Sequence, residues 1–173
     1  FIGGESSGKT TLARVMAERL QTAWVPEYGR TLWEQQGGDL MPDDLLRIAM
    51  TQPQHEDEGA RRAHRWLFCD TTPLVTLGYS GWMSGTAPEA LRQAALRPYD
   101  LLFVCAPDIP FDQDGTRVGE AFRAQQHAWY VRELQARGVE YVLLEGDLET
   151  RIARVQRELA KRADNRFSVA LPL

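Results

Sequence analysis

The run Gly3-Gly4-Glu5-Ser6-Ser7-Gly8-Lys9-Thr10 matches G-x-x-x-x-G-K-[ST] at every fixed position, and an amphipathic stretch follows it directly. This spacing makes a phosphate-binding loop of the Walker A type. Its glycines let the backbone curl until successive N–H groups point into one concavity, and the N-terminus of the following helix adds partial positive charge. Lys9 is the one lysine in the first 160 residues of a chain that otherwise uses arginine. A compact ammonium on a flexible stem suits reach to the β- and γ-phosphates, and Thr10 offers a hydroxyl to Mg²⁺. The cradle for ATP is expected from Gly4, Glu5, Ser6, Ser7, Gly8, Lys9, Thr10 and Thr11.

Two acids stand at the ends of the next two apolar runs: Glu27 in Val25-Pro26-Glu27-Tyr28-Gly29-Arg30, and Asp70 in Leu67-Phe68-Cys69-Asp70-Thr71. In an open α/β sheet ligands bind beyond the carboxyl ends of the strands, so both acids are expected near the phosphates. Asp70 is the candidate that orders Mg²⁺, together with Thr10. Glu27 is the candidate that accepts a proton from a substrate hydroxyl, with Tyr28, Arg30 and Asp70 beside the same acceptor. Taken singly, each acid also reads as a helix cap or an ion-pair partner, Arg30 being available to Glu27. Asp112-Gln113-Asp114-Gly115-Thr116-Arg117, with Arg123 farther on, reads as a mobile lid whose arginines meet the transferring phosphoryl group; arginines on a solvated surface are the plainer reading. Trp24, Tyr28 and Trp33 read either as core or as a surface for a flat ring. His55, His64 and His127 have no metal-ligand spacing.

These residues need a scaffold, and the apolar pattern supplies one. Strand-length runs at 23–27, 66–69, 101–105 and 141–144 alternate with helical patterns. Leu12, Val15, Met16 and Leu20 share a helical face. A helix is expected from Asp43 to about Arg65, kinked or split at Pro53. Residues 78–88 read as loop and Glu89–Leu96 as a short helix. Another helix runs over Glu120–Arg137 with Gly138 as its stop, and a last one over about Leu148–Arg162 with an apolar stripe of Leu148, Ile152, Val155 and Leu159. Apolar strands separated by helices imply a parallel sheet covered on both faces.

The 173 residues suit one domain, expected over 1–163, with 164–173 as a tail. A formal charge of −4 argues against a general nucleic-acid binder, which must neutralise many phosphates at once. Cys69 and Cys105 lie in separate apolar runs, as buried thiols do. No window holds 18 uninterrupted apolar residues and no basic-then-apolar leader is present, so a cytoplasmic protein without a membrane span is expected. Phe1-Ile2 is short for the strand that should precede the loop, so the first strand is expected to be truncated and the natural polypeptide to extend upstream.

With Gly3–Thr10, Glu27-Tyr28-Gly29-Arg30, Gly37-Gly38-Asp39, Cys69-Asp70-Thr71 and Asp114-Gly115-Thr116-Arg117 in this order, the chain resembles the ribosylnicotinamide kinase domain of NadR-type proteins, within the P-loop nucleoside and nucleotide kinases. The likeness runs over most of residues 1–160. It implies ATP-dependent phosphorylation of the ribose 5′-hydroxyl of nicotinamide riboside, giving nicotinamide mononucleotide for NAD salvage, with Mg²⁺. It also implies an adenylyltransferase domain upstream, while the residues themselves make Lys9, Glu27, Asp70, Arg117 and Arg123 the expected catalytic set. Thr72 departs from the family, which often has a second acid there. The expected architecture is a three-layer α/β/α fold with one five-stranded parallel sheet of order 2-3-1-4-5. The alternatives are a kinase for another nucleoside or nucleotide, and a nucleotide-driven ATPase or switch with no small-molecule acceptor.

Overall fold

The computed structural model describes residues 1–115 and 117–168. Thr116 of the lid motif and 169–173 of the expected tail lie outside the described residues. Strands and helices alternate as β1 (Ile2–Gly3), α1 (Lys9–Arg19), β2 (Trp24–Val25), α2 (Tyr28–Gln35), α3 (Pro42–Arg62), β3 (Phe68–Cys69), α4 (Pro73–Ser84), α5 (Glu89–Ala94), β4 (Phe103–Cys105), α6 (Glu120–Ala136), β5 (Val142–Leu144) and α7 (Leu148–Ser168). The last helix thus takes in residues 164–168, which the sequence pattern assigns to the tail.

The strands are parallel, but they do not make the expected single sheet of order 2-3-1-4-5. They form two: a three-stranded sheet β1-β4-β5 and a two-stranded sheet β2-β3. Ile2 pairs with Val104 and Phe103 with Val142 in the first, and Trp24 pairs with Phe68 in the second. Among the described residues, the backbone bonds between β1 and β3 are made by Phe1 alone, whose amine donates to the Cys69 carbonyl at 2.7 Å and whose carbonyl accepts from Thr71 N–H at 2.9 Å. At Thr71 the backbone turns to φ +76°, which carries the chain off the strand line before a second pair can form.

Helices cover the strands on both sides, because side chains alternate along each strand. Phe103 and Cys105 point into a core with Leu12, Met16, Phe68, Ile152 and Val155, contributed largely by α1 and α7. Leu102 and Val104 point the other way, into a core with Leu74, Val75, Tyr130 and Leu134 of α4 and α6. Both cysteines are free thiols, and burial pushes the Cys69 thiol up to about 12, which leaves it protonated and inert.

Three elements differ from the sequence pattern. α3 runs through Pro53 as one helix instead of splitting. Residues 78–84, expected as loop, belong to α4; its Gly78 admits Trp82 and Trp129, which would lie 2.9 and 3.1 Å from an added Cβ. α2 begins directly after Glu27 and buries only Leu32. Among the described residues no helix is long and apolar enough to cross a membrane.

Candidate active site

The loop between β1 and α1 curls around two left-handed residues, Ser6 at φ +54° and Gly8 at φ +79°. Gly8 caps α1, so the helix N-terminus opens onto the concavity. Ser7 Oγ donates to the Gly4 carbonyl at 2.7 Å and Lys9 Nζ to the same oxygen at 3.3 Å, which folds the lysine over its own loop. Gly4 is sterically obligatory, since a Cβ there would lie 2.7 Å from the Arg123 carbonyl.

A cavity of about 390 Å³ opens over this loop, within the size range of small-molecule sites. Glu5 to Thr11 line it together with Glu27, Arg30, Trp33, Tyr79, Tyr130 and Arg117. The loop, the first acid and Arg117 therefore share one space.

Glu27 is the residue before α2, yet its side chain makes no capping bond. Its corner is held instead by Gln52 of α3, which accepts from Tyr28 N–H at 2.9 Å and donates to the Pro26 carbonyl at 3.4 Å. Gln52 is 1% exposed. Burial raises the Glu27 carboxyl above its ordinary range; the charge of Lys9 opposes the rise, Asp70 adds to it and Arg30 opposes it. A carboxylate made more basic in this way is suited to taking a proton from a hydroxyl.

Asp70 is 1% exposed and does not line the cavity, but it is close enough for its charge to act on Glu27. Its Oδ1 and the neighbouring Thr71 Oγ1 are buried without a hydrogen-bond partner. A left-handed β-branched residue and two unpaired oxygens at one strand end are costly, and such costs concentrate at functional sites.

The arginines divide. Arg117 lines the cavity and pairs with Asp114 at 3.2 Å and with Asp112, while Arg30 reaches Asp114 at 3.8 Å rather than Glu27. Arg123 does not line it. At 3% exposure it sits behind the loop, donating to the carbonyls of Ile109 at 2.8 Å and Ser6 at 3.3 Å and pairing with Glu120. Tyr28 also turns away, against His55 and the Leu32–Leu45–Ile48 cluster. Trp24 packs in the core, so of the three aromatics near Glu27 only Trp33 lines the cavity.

Sequence reasoning missed Arg151. From α7 its guanidinium donates to the carbonyls of Ser7 at 2.6 Å, Gly146 at 2.9 Å and Ala106 at 3.0 Å, and pairs with Asp108. Arg123 and Arg151 thus hold two consecutive loop carbonyls from behind, which turns the N–H edges toward the cavity. An arginine beside an apolar stripe looks solvent-facing in sequence; only burial distinguishes this one.

A phosphate cradle at a helix start beside β1, acids at the tips of β2 and β3, and arginines around them define a P-loop nucleotide-binding protein. The chain belongs to the AAA domain family, whose profile matches residues 1–151. Within that setting it is similar to the trifunctional NAD biosynthesis/regulator protein NadR of Escherichia coli (strain K12), 30% identical over 163 residues, covering 89% of this chain and 40% of that protein. The NadR of Salmonella typhimurium is 32% identical over 123 residues, 68% of this chain and 30% of the relative. Two solved structures match with a TM-score of 0.68 at 25% identity and cover 84% of this chain: NadR protein in complex with NAD and AMP-PNP, and NadR protein in complex with NR. The chain spans 43% and 45% of those two molecules, and less than half of each curated relative. These findings agree with the family resemblance carried by the motifs.

Proposed function

We propose that this chain is an ATP-dependent ribosylnicotinamide kinase, which transfers the γ-phosphate of ATP to the 5′-hydroxyl of nicotinamide riboside and yields nicotinamide mononucleotide for NAD salvage. One observation carries the reading: a single cavity joins the phosphate loop to a half-buried glutamate whose carboxyl burial has made more basic. The NadR relatives, with solved complexes of AMP-PNP and of NR, support the choice of both substrates.

In this reading the amides from Gly4 to Thr11 bind the phosphates and Lys9 leaves the Gly4 carbonyl to follow the γ-phosphate. Glu27, set by Gln52, orients the nucleoside hydroxyl and takes its proton as the oxygen attacks phosphorus in line with the leaving ADP. Arg117 faces the equatorial oxygens from the lid. Arg123 acts on the loop rather than on the phosphates, holding the Ser6 carbonyl. Arg30 borders the acceptor, with Tyr28 and Asp70 supporting the wall around it. Thr10 would hold Mg²⁺ from the cavity, with Asp70, which does not line it, ordering the ion through water. That sparse donor set fits a metal that takes most of its ligands from phosphates and water. Bound there, the ion would neutralise charge on the β- and γ-phosphates.

Residues 1–163 are the catalytic unit in this proposal, working in the cytoplasm. A covalently linked adenylyltransferase domain is part of the same proposal, supported by the trifunctional relatives. ADP release measured with nicotinamide riboside, uridine, thymidine and water as acceptors tests it. Turnover dependent on nicotinamide riboside is expected; equal turnover with water would instead identify an ATPase.

A further inference from the structure

One wall of the cavity is formed by α4 and α6, and its polar groups are ordered by a chain whose direction can be read one bond at a time. The backbone N–H of Glu5 can only donate, and it donates to Gln126 Oε1 at 2.8 Å. That assignment makes the other end of the amide a donor, and Gln126 Nε2 donates to Tyr79 Oη at 2.9 Å. Tyr79 Oη is therefore an acceptor on its α6 side, and its own proton must be used elsewhere. Among the described residues that proton has no acceptor. Gln126 is 1% exposed and cannot turn its amide over without breaking both bonds.

Tyr79 and Tyr130 both line the cavity. Tyr130 is fully buried, and its hydroxyl has no hydrogen-bond partner. The wall thus presents one phenol with its proton to spare and a second that is wholly unpaired, an arrangement that costs free energy until a ligand satisfies it. Burial first, and then the charge of Glu27, push the Tyr79 phenol upward, so it stays protonated and able to donate. The charges of Glu27 and Glu5 both act on these two phenols, which disfavours an anionic group at this place.

We infer that Tyr79, oriented by Gln126, donates a hydrogen bond to an uncharged oxygen of the acceptor nucleoside and so helps to select it. The inference rests on the kinase reading and adds a specificity-determining residue to it. It also ties the acceptor wall to the phosphate loop, because Gln126 touches both.

The test compares the full chain with Tyr79→Phe, Gln126→Glu and the double variant, measuring kcat and KM for ATP and for nicotinamide riboside. Y79F removes one oxygen and keeps the ring; the nucleoside KM should rise about tenfold with the ATP KM within about twofold. In Q126E the carboxylate accepts from Glu5 N–H and from Tyr79 O–H together, which turns the phenol proton away from the cavity. It should reproduce the Y79F effect, and the double variant should be no worse than either single one. A role confined to holding the loop would give the opposite split, with Q126E raising the ATP KM alone, and that result overturns the inference. So does an unchanged nucleoside KM in Y79F, which decides the matter by itself should Q126E fail to fold. Absence of nucleoside turnover in the unsubstituted chain would overturn the kinase reading and this inference together.

Discussion

Lys9 and Glu27 bring opposite charges into one cavity, and substituting them separates chemistry from folding. Lys9→Ala deletes a phosphate contact and no core packing, so kcat/KM should fall about a hundredfold or more while the melting temperature stays within a few degrees. Glu27→Gln should lower kcat by about 10²–10⁴, the usual contribution of a positioned base. Its effect on stability has a definite sign. Burial raises the Glu27 carboxyl above the ordinary value of 4.5, so the folded state binds its proton more tightly than the unfolded chain does. That contribution to stability is complete below about pH 4.5 and is lost as pH rises through the folded value. At neutral pH the Glu27 charge therefore opposes folding, and E27Q should melt higher than the unsubstituted protein at pH 7, the difference closing toward pH 4. The acid limb of kcat/KM, which reports the free enzyme, should lie above 4.5 for the same reason. A lower melting temperature for E27Q at pH 7 would show the carboxylate to be a structural partner instead. Glu27 was legible in the sequence because a charged residue closing an apolar run is conspicuous. Gln52, which sets it, was not, because a glutamine within a polar helix carries no mark of burial.

At the scale of elements, the phosphate loop keeps its shape because α6 and α7 each send one buried arginine to its carbonyls. Arg151→Met would leave the carbonyls of Ser7, Ala106 and Gly146 without their donor and Asp108 without its cation. Unfolding in urea should register a loss of about 3–5 kcal/mol, as for other broken buried pairs. The ATP KM should also rise; an unchanged ATP KM would separate Arg151 from the loop's function. α1 and α7 were readable from the apolar face each carries, and α6 from a helical run that Gly138 stops. α4 was not, since a helix apolar on all sides and carrying Gly78 and Gly81 has neither a stripe nor a helix-like composition. α2 escaped notice because, unlike α5 with Pro88 and Glu89 at its start, it opens on Tyr28-Gly29-Arg30 with no acid in its first turn.

Across the whole molecule, two apolar cores on opposite faces of the strands fix where the strand tips and their acids emerge. Alternation of strands and helices made this parallel α/β arrangement legible. The division into two sheets was not, because it depends on strands only two or three residues long and on the turn at Thr71, a local conformation that no periodicity encodes. At one end of the molecule the phosphate loop shares a single cavity with the wall proposed for the acceptor, and phosphoryl transfer within it is the central claim. ³¹P NMR of the chain mixed with MgATP and nicotinamide riboside tests it most directly. A new phosphomonoester resonance coupled to the two 5′-methylene protons of the nucleoside, growing in step with ADP, is the expected result. Inorganic phosphate as the only new signal, at the same rate with and without the nucleoside, would contradict it.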